Sequence, residues 1–279
     1  MDSQTASTQA PDATVTGFYA RHSEYQWSRF DTHARLEECL LRRCLRRCLP
    51  PPPATVIDVG GGSGRHAFTL AAAGFDVLLC DVTPALLRAA RERNEQPGNR
   101  ARVREIVAAD ARRLPWPDGQ ADAAIVLGPM YGLRQAADRS AALAELRRIL
   151  KPGSPVFLQY FQRVAGLRYV LESGPARAGL FDWQAFLRTG ITDEPQLPEL
   201  LRSHYFATAD AVRAEVAAAG LELLELRGME GPAPSIGQAN LAGADSALVE
   251  EWADIAEAVC GQPEHVSTST HLLAIARTS

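Results

Sequence analysis

The sequence predicts a doubly wound α/β fold, in which a parallel sheet is covered by helices on both faces. From residue 55 onward, short apolar segments alternate with helical ones, as in a parallel sheet with crossover helices. Glycines follow the first apolar segment, where a helix is about to begin. Of the 279 residues, 46% are apolar and 22% are charged, so the chain can bury a large core.

The first 53 residues lie before this alternation. Residues 1–14 are small, polar and unpatterned, and we predict a disordered tail there. Residues 15–53 are predicted to form a helical cap: aromatic and arginine side chains are interleaved over 18–30, and apolar side chains recur at helical spacing over about 32–49. The prolines at 50–53 end this helix, since proline has no backbone N–H to donate.

Residues 54–279 are predicted to form the sheet domain. Its strands are expected at residues 55–59, 76–80, 103–107, 123–127, 156–161, 221–226 and 271–276. Helices are expected at residues 65–73, 84–94, 138–150 and 208–219. Two stretches, at about 164–205 and 231–266, break the alternation, and the second holds a helix predicted at 245–259. Because long insertions of this kind commonly cover or bind a ligand, both are predicted to be lids that face the site.

The glycine-rich turn after the first strand is the most informative segment. Residues 56–64 read Val-Ile-Asp-Val-Gly-Gly-Gly-Ser-Gly, which places glycines at Gly60, Gly61, Gly62 and Gly64. Glycines here let the backbone approach a ligand, which meets the free N–H groups of the helix that follows. The dinucleotide pattern G-x-G-x-x-A is met over 62–67, but that register leaves the first two glycines without a role. An NAD-type oxidoreductase is kept as an alternative.

Acidic side chains at three strand ends indicate the charge of the ligand. Asp58 stands two residues before the glycines, where it would repel a pyrophosphate but could hold an ammonium group. Asp81 ends the second strand, where an acid accepts ribose hydroxyls. Asp110 follows the third strand, where it could accept a hydrogen bond from an exocyclic amine. Together these acids favour a cationic nucleoside over a phosphate.

In this order, the segments resemble the class I S-adenosylmethionine-dependent methyltransferases. Residues 56–65 resemble the first motif of that family, Asp81 its ribose-binding acid, and Ala109-Asp110-Ala111 its adenine-contacting motif. Leu-Gly-Pro-Met-Tyr at 127–131 and Leu-Arg-Arg-Ile-Leu-Lys-Pro-Gly at 146–153 resemble later motifs. The resemblance implies a Rossmann-like, seven-stranded sheet whose last strand is antiparallel, and S-adenosylmethionine as the cofactor.

The resemblance, together with the positions of polar and aromatic side chains along the chain, indicates which residues form the site. Tyr-Gln-Trp-Ser-Arg-Phe at 25–30 resembles an N-terminal segment that closes over the cofactor in a bacterial, small-molecule branch of the family. The predicted cofactor-binding residues are Tyr19, Arg29, Asp58, Gly60, Gly61, Gly62, Gly64, Asp81, Val82, Asp110, Ala111 and Gly128. The predicted substrate-binding residues are Trp27, Tyr131, Tyr160, Tyr205 and Glu230. As catalytic residues we predict His204, an acid/base near the end of the first insertion, and Tyr131, where the acceptor approaches the methyl group.

The implied function is transfer of a methyl group from S-adenosylmethionine to an oxygen or nitrogen of a small-molecule acceptor, with natural products and peptides included. A protein or cyclase that binds the cofactor without using its methyl group stays open, as does modification of RNA. The net charge of −4, with basic clustering only at Arg42, Arg43, Arg46 and Arg47, argues against a nucleic-acid partner. Without metal-ligand spacing, a signal peptide or a membrane span in view, we expect a cytoplasmic protein with no metal and no membrane partner, and leave a homodimer open.

Overall fold

The computed structural model describes residues 13–174, 179, 181–232 and 240–279. One sheet forms its centre. The strands are β1 (Thr55–Val59), β2 (Asp76–Asp81), β3 (Glu105–Ala108), β4 (Ala123–Val126), β5 (Pro155–Gln162), β6 (Phe206–Ala207), β7 (Leu221–Gly228) and β8 (His271–Thr278). They lie in the order β3-β2-β1-β4-β5-β8-β7, and the two residues of β6 pair with the end of β5. The order of connection reverses between β1 and β4, which is where ligands bind in open α/β sheets.

The strand directions confirm the predicted fold. β8 runs antiparallel to its neighbours β5 and β7, whereas the other strand pairs are parallel. The short strand β6 was not predicted from the sequence. β3 begins two residues later than predicted, because both backbone groups of Val103 hydrogen-bond to the side chain of Asn94 instead of a neighbouring strand.

Helices surround the sheet and build the cap. In the described ranges they are α1 (Ala13–Arg21), α2 (Ser23–Ser28), α3 (Arg35–Cys48), α4 (Arg65–Ala72), α5 (Pro84–Asn94), α6 (Pro129–Gly132), α7 (Ala136–Ile149), α8 (Arg163–Glu172), α9 (Trp183–Thr189), α10 (Glu199–Ser203), α11 (Ala209–Ala218), α12 (Ser246–Val259) and α13 (Pro263–Thr268). A 3-10 helix (Arg29–Asp31) joins α2 to the segment before α3. The predicted tail, residues 1–14, lies outside the described residues except for its last two, where α1 begins.

The sheet is buried on both faces, as a parallel sheet requires. Successive strand residues point to opposite sides: Ile57 packs in a cluster with residues of α7 and α11, and Val56 in a cluster with residues of α3, α4 and α12. The cap helix α3 is therefore part of the main core. Its Leu36, Leu40 and Cys44 are at most 1% exposed.

The two insertions are built differently. α8, α9 and α10, in the first, enclose an apolar cluster with the ends of β5 and β6. α12, in the second, packs on α3, where Glu250 accepts hydrogen bonds from Arg42 and Arg43. Among the helices that the structure describes, none is both long and apolar enough to cross a membrane.

Candidate functional site

A cavity of about 370 Å³ opens at the carboxyl ends of β1, β2 and β4. This volume lies in the range of small-molecule sites, about 300–1,000 Å³. The residues of the predicted site that line it are Tyr19, Arg29, Asp58, Gly60, Gly61, Gly62, Asp81, Val82, Asp110, Ala111, Gly128 and Tyr131. No described residue of either insertion lines it, so the described parts of the insertions do not face the cavity directly, contrary to the expectation for two lids.

Hydrogen bonds and close contacts explain why glycines occupy the turn after β1. The N–H groups of Gly60 and Gly61 donate to the Cys80 carbonyl, at 2.8 and 3.1 Å, which ties the turn to the end of β2. A Cβ atom at Gly61 would lie 2.6 Å from the Asp58 carboxylate, and one at Gly60, whose φ is +72°, would lie 2.5 Å from the ring of Pro129. Gly64 does not line the cavity; with φ +91° it precedes the first residue of α4. Glycine is therefore required by close approach as well as by backbone angle.

Asp58 is a buried carboxylate at the floor of the cavity. Its side chain is 2% exposed, and its Oδ2 atom has no hydrogen-bond partner among the described residues. Burial, and the negative charge of Asp81 next to it, raise the pKa of Asp58 to about 7. A positively charged group in the cavity would supply the missing partner. The residues present therefore fit a cationic ligand.

The other two acids, Asp81 and Asp110, already accept hydrogen bonds from groups of the protein. Asp81 accepts from the N–H groups of Gly62, at 2.9 Å, and Thr83, at 2.7 Å, and burial raises its pKa. Asp110 accepts from Arg112 through both oxygens, at 3.0 and 2.7 Å. Asp110 thus lies at the cavity with a guanidinium already attached, an ion pair that the sequence analysis did not anticipate.

Tyr131 is held firmly in the wall of the cavity. Its hydroxyl donates to the Leu127 carbonyl at 2.7 Å, and its ring lies 4.2 Å from that of Phe161. The oxygen keeps lone-pair capacity toward a ligand, because a phenol both donates and accepts. The backbone carbonyl of Tyr131 accepts from the N–H of Tyr205 at 2.8 Å, which joins α6 to the end of the first insertion.

His204 reaches the cavity through Tyr19. The imidazole is fully buried, and its Nδ1 lies 2.9 Å from the Leu200 carbonyl. Because a carbonyl can only accept, Nδ1 carries the proton, and Nε2 accepts from the Tyr19 hydroxyl at 3.1 Å. Tyr19 itself lines the cavity, and burial raises the pKa of its phenol. The structure thus brings together two residues that the sequence analysis named for different roles.

Four residues predicted to bind substrate lie outside the cavity lining. The ring of Trp27 stacks under the guanidinium of Arg93, 4.0 Å away. Tyr160 is fully buried in the core beside α7, and Tyr205 lies 3.6 Å from the guanidinium of Arg139. Glu230 hydrogen-bonds to His271. Their substrate contacts stay predictions.

A buried polar network lies behind Arg29 and was not predicted from the sequence. Both Nη atoms of Arg29 donate to Glu37, at 3.0 and 3.2 Å, and Gln159 donates to the same carboxylate at 2.9 Å. His271 Nδ1 donates to Glu230 at 2.6 Å and lies 3.6 Å from Glu37. The one signal in the sequence is that Glu37 shares a helix face with Leu41 and Cys44, so an acid stands in an apolar stripe.

Charges set the protonation of this network. Burial alone would raise the pKa of Glu37, but Arg29 and His271 outweigh it and hold that pKa at about 2. Burial alone would lower the pKa of His271, but Glu37 and Glu230 outweigh it and raise that pKa. The network therefore contains charges of alternating sign.

Comparison with known proteins gives three findings. Residues 56–153 match a family model described as a methyltransferase domain. The chain is 39% identical over 118 residues to the ubiquinone/menaquinone biosynthesis C-methyltransferase UbiE of Acidiphilium cryptum, covering 41% of this chain and 45% of that protein. It is 31% identical over 203 residues to the demethylmenaquinone methyltransferase of Thermus thermophilus, covering 66% of this chain and 87% of that protein. The first alignment thus spans less than half of the relative's length.

Solved structures share the fold. A SAM-dependent methyltransferase of Thermotoga maritima has a TM-score of 0.60 to this chain at 14% sequence identity, covering 95% of this chain and 100% of that one. At this identity the likeness concerns the fold alone.

Proposed function

Because the chain belongs to the class I S-adenosylmethionine-dependent methyltransferases, we propose that it transfers the methyl group of this cofactor to a small-molecule acceptor. The observation that carries the proposal is the buried Asp58 carboxylate, which lines the cavity beside the glycine turn with one oxygen unpaired among the described residues. A diphosphate would be repelled there, whereas the amino group of S-adenosylmethionine would be attracted.

Each part of the cofactor has a matching group in the cavity. Asp58 would hold the amino group, and Asp81 would accept from the ribose hydroxyls. Arg29 would hold the carboxylate, since a guanidinium matches a carboxylate in shape and charge. Val82 and Ala111 line the cavity next to Asp81 and Asp110, where they would contact the adenine. Bound S-adenosylmethionine supplies a methyl group on a positively charged sulfur.

The residues near Tyr19 provide a route for a proton of the acceptor. As Tyr19 takes a proton from an acceptor hydroxyl or amine, its own phenolic proton passes to His204 Nε2, which already accepts a hydrogen bond from it. His204 would then be an imidazolium with a proton on each nitrogen. Tyr131, whose ring lies against His204 as that of Tyr19 does, would orient the acceptor from the same side of the cavity. This arrangement supports the acid/base role expected for His204, exerted through Tyr19.

The acceptor is proposed to be planar and aromatic, because Tyr19 and Tyr131 present rings at the cavity. The sequence predicts oxygen or nitrogen as the attacking atom. The relatives of Acidiphilium and Thermus add carbon as a third possibility, since the first is named a C-methyltransferase. Arg42, Arg43 and Arg47 make ion pairs within the protein, which favours a small molecule over a nucleic acid as partner.

Calorimetry and labelling test the proposal together. We expect the protein to bind one mole of S-adenosylmethionine and no NAD, and to transfer label from the methyl-labelled cofactor to a small molecule in an extract of its host. Binding of NAD alone would favour an oxidoreductase. Binding of the cofactor with no label transferred, while another compound is cyclised, would favour a cyclase. Label in RNA or protein would refute the small-molecule acceptor.

A further inference from the structure

We propose that Glu37, supported by His271 and Glu230, is a positioning residue that holds Arg29 in place for the carboxylate of the bound cofactor. This inference rests on the proposed function and deepens it. It assigns a task to three buried side chains behind Arg29, which the proposed transfer reaction does not otherwise use. In order from the cavity, the linked side chains are Arg29, Glu37, His271 and Glu230. We call this chain the relay.

The relay joins distant parts of the sequence. Arg29 belongs to the 3-10 helix of the cap and Glu37 to α3, whereas Glu230 follows β7 and His271 begins β8. Glu37, Glu230 and His271 are 1%, 3% and 7% exposed. Only Arg29 lines the cavity. The guanidinium that the cap presents to the cavity is thus oriented by buried residues behind it.

Hydrogen bonding shows how Arg29 can serve two carboxylates. A guanidinium has five N–H donors, and the bonds to Glu37 use one on each Nη atom. The remaining donors are available to a ligand. The guanidinium also lies 4.0 Å from the ring centroid of Phe30, which restricts it further. An arginine fixed in this way loses less side-chain entropy when it binds a carboxylate.

Charge explains why His271 belongs to the relay. Glu37 beside Arg29 would by itself repel a second carboxylate from the cavity. His271 Nδ1 lies 3.6 Å from a carboxylate oxygen of Glu37 and 2.6 Å from one of Glu230. An imidazolium at this position partly neutralises the charge of Glu37, so Arg29 presents more positive charge to the ligand.

A metal ion would be the other use of these side chains. Ligand atoms of Glu37, Glu230 and His271 lie within 4.8 Å of one another. Their donor and acceptor atoms are already engaged, however: Glu37 by Arg29 and Gln159, and Glu230 by His271 and the backbone N–H of residue 270. A cation would have to displace the guanidinium, so the geometry favours the relay.

The test uses two ligands that differ in the amino-acid group, whose carboxylate Arg29 would hold. S-Adenosylhomocysteine has the amino-acid group, and 5′-deoxy-5′-methylthioadenosine has the same nucleoside and sulfur without it. In Glu37→Gln we expect the Kd of S-adenosylhomocysteine, measured by calorimetry, to rise about tenfold or more, as for loss of a hydrogen bond to a charged group. The Kd of methylthioadenosine should stay within about twofold of the wild-type value.

Two further variants keep the test decisive. His271→Gln should raise the Kd of S-adenosylhomocysteine less than Glu37→Gln does, and it should leave the Kd of methylthioadenosine unchanged. If Glu37→Gln does not fold, His271→Gln takes its place in the test. Glu250→Gln is the matched control: it removes the two ion pairs of Glu250 with Arg42 and Arg43 of α3 without touching the relay, and both Kd values should be unchanged.

Other outcomes overturn the inference in distinguishable ways. An equal loss of affinity for both ligands in Glu37→Gln would mean that the relay only anchors the cap. A stoichiometric metal ion found in the purified wild-type protein by mass spectrometry would replace the relay with a metal centre. Wild-type protein that binds neither ligand would refute the proposed function, and the relay with it.

Discussion

Replacing Asp58 with asparagine is expected to stabilise the ligand-free protein while weakening its hold on the cofactor. Burial raises the pKa of Asp58 to about 7 from an ordinary 3.8. At 1.36 kcal/mol per pKa unit, the ionised carboxylate costs about 4 kcal/mol of folding free energy. The stabilising contribution of the protonated form is fully present below pH 3.8 and is lost as the pH rises through about 7. Asparagine has the same shape and no charge, so Asp58→Asn avoids that loss.

Urea unfolding at pH 8 and pH 5 measures this difference. We expect Asp58→Asn to be more stable than the wild type by up to about 4 kcal/mol at pH 8, and by about 2 kcal/mol at pH 5, where Asp58 is mostly protonated in the folded protein. Asp122→Asn is the control: hydrogen bonds from Lys151 and the backbone of Thr55 lower the pKa of Asp122 despite its partial burial, so this change should destabilise. A variant at position 58 that is less stable than the wild type at pH 8, or a gap that does not narrow at pH 5, would refute the reasoning.

Three more predictions concern the same cavity. The Kd of S-adenosylmethionine should rise as the pH falls below about 7, because protonation removes the charge of Asp58, and calorimetry from pH 7.5 to 5.5 should show no such trend in Asp58→Asn. Gly61→Ala should destabilise the protein by about 1–3 kcal/mol and abolish cofactor binding, since its Cβ would lie 2.6 Å from the Asp58 carboxylate. Gly243→Ala is the control: a Cβ there meets nothing within 4 Å, so thermal melts and cofactor titrations should give wild-type values. His204→Gln should lower kcat about 100-fold or more at an unchanged cofactor Kd, because glutamine cannot take the proton that Tyr19 releases, and an unchanged kcat would contradict the proton route.

Two neighbouring residues of β5, Gln159 and Tyr160, show the limit of assigning cavity residues from the sequence. Tyr160 was predicted from the sequence to bind substrate, but its neighbour Gln159 lines the cavity, and Tyr160 points into the core on the other face. Adjacent residues of a strand point to opposite faces of the sheet. An error of one residue in assigning the faces of β5 therefore exchanges Gln159 and Tyr160 between the cavity and the core. Gly60 and Gly61 contribute to the site through their backbone, so their placement does not depend on which way a side chain points.

The amino-acid sequence by itself determined the alternating strands and helices, the glycine turn after β1 and the acids at the ends of β1 and β2. These depend on local periodicity, on backbone angles open to glycine and on chain order, all of which are written in neighbouring residues. Only the tertiary structure decided that Tyr19 meets His204 and that Glu37 meets His271, pairs separated by 185 and 234 positions in the numbering. Such contacts depend on how the cap and the C-terminal strands pack against the sheet, and packing is a property of the whole chain.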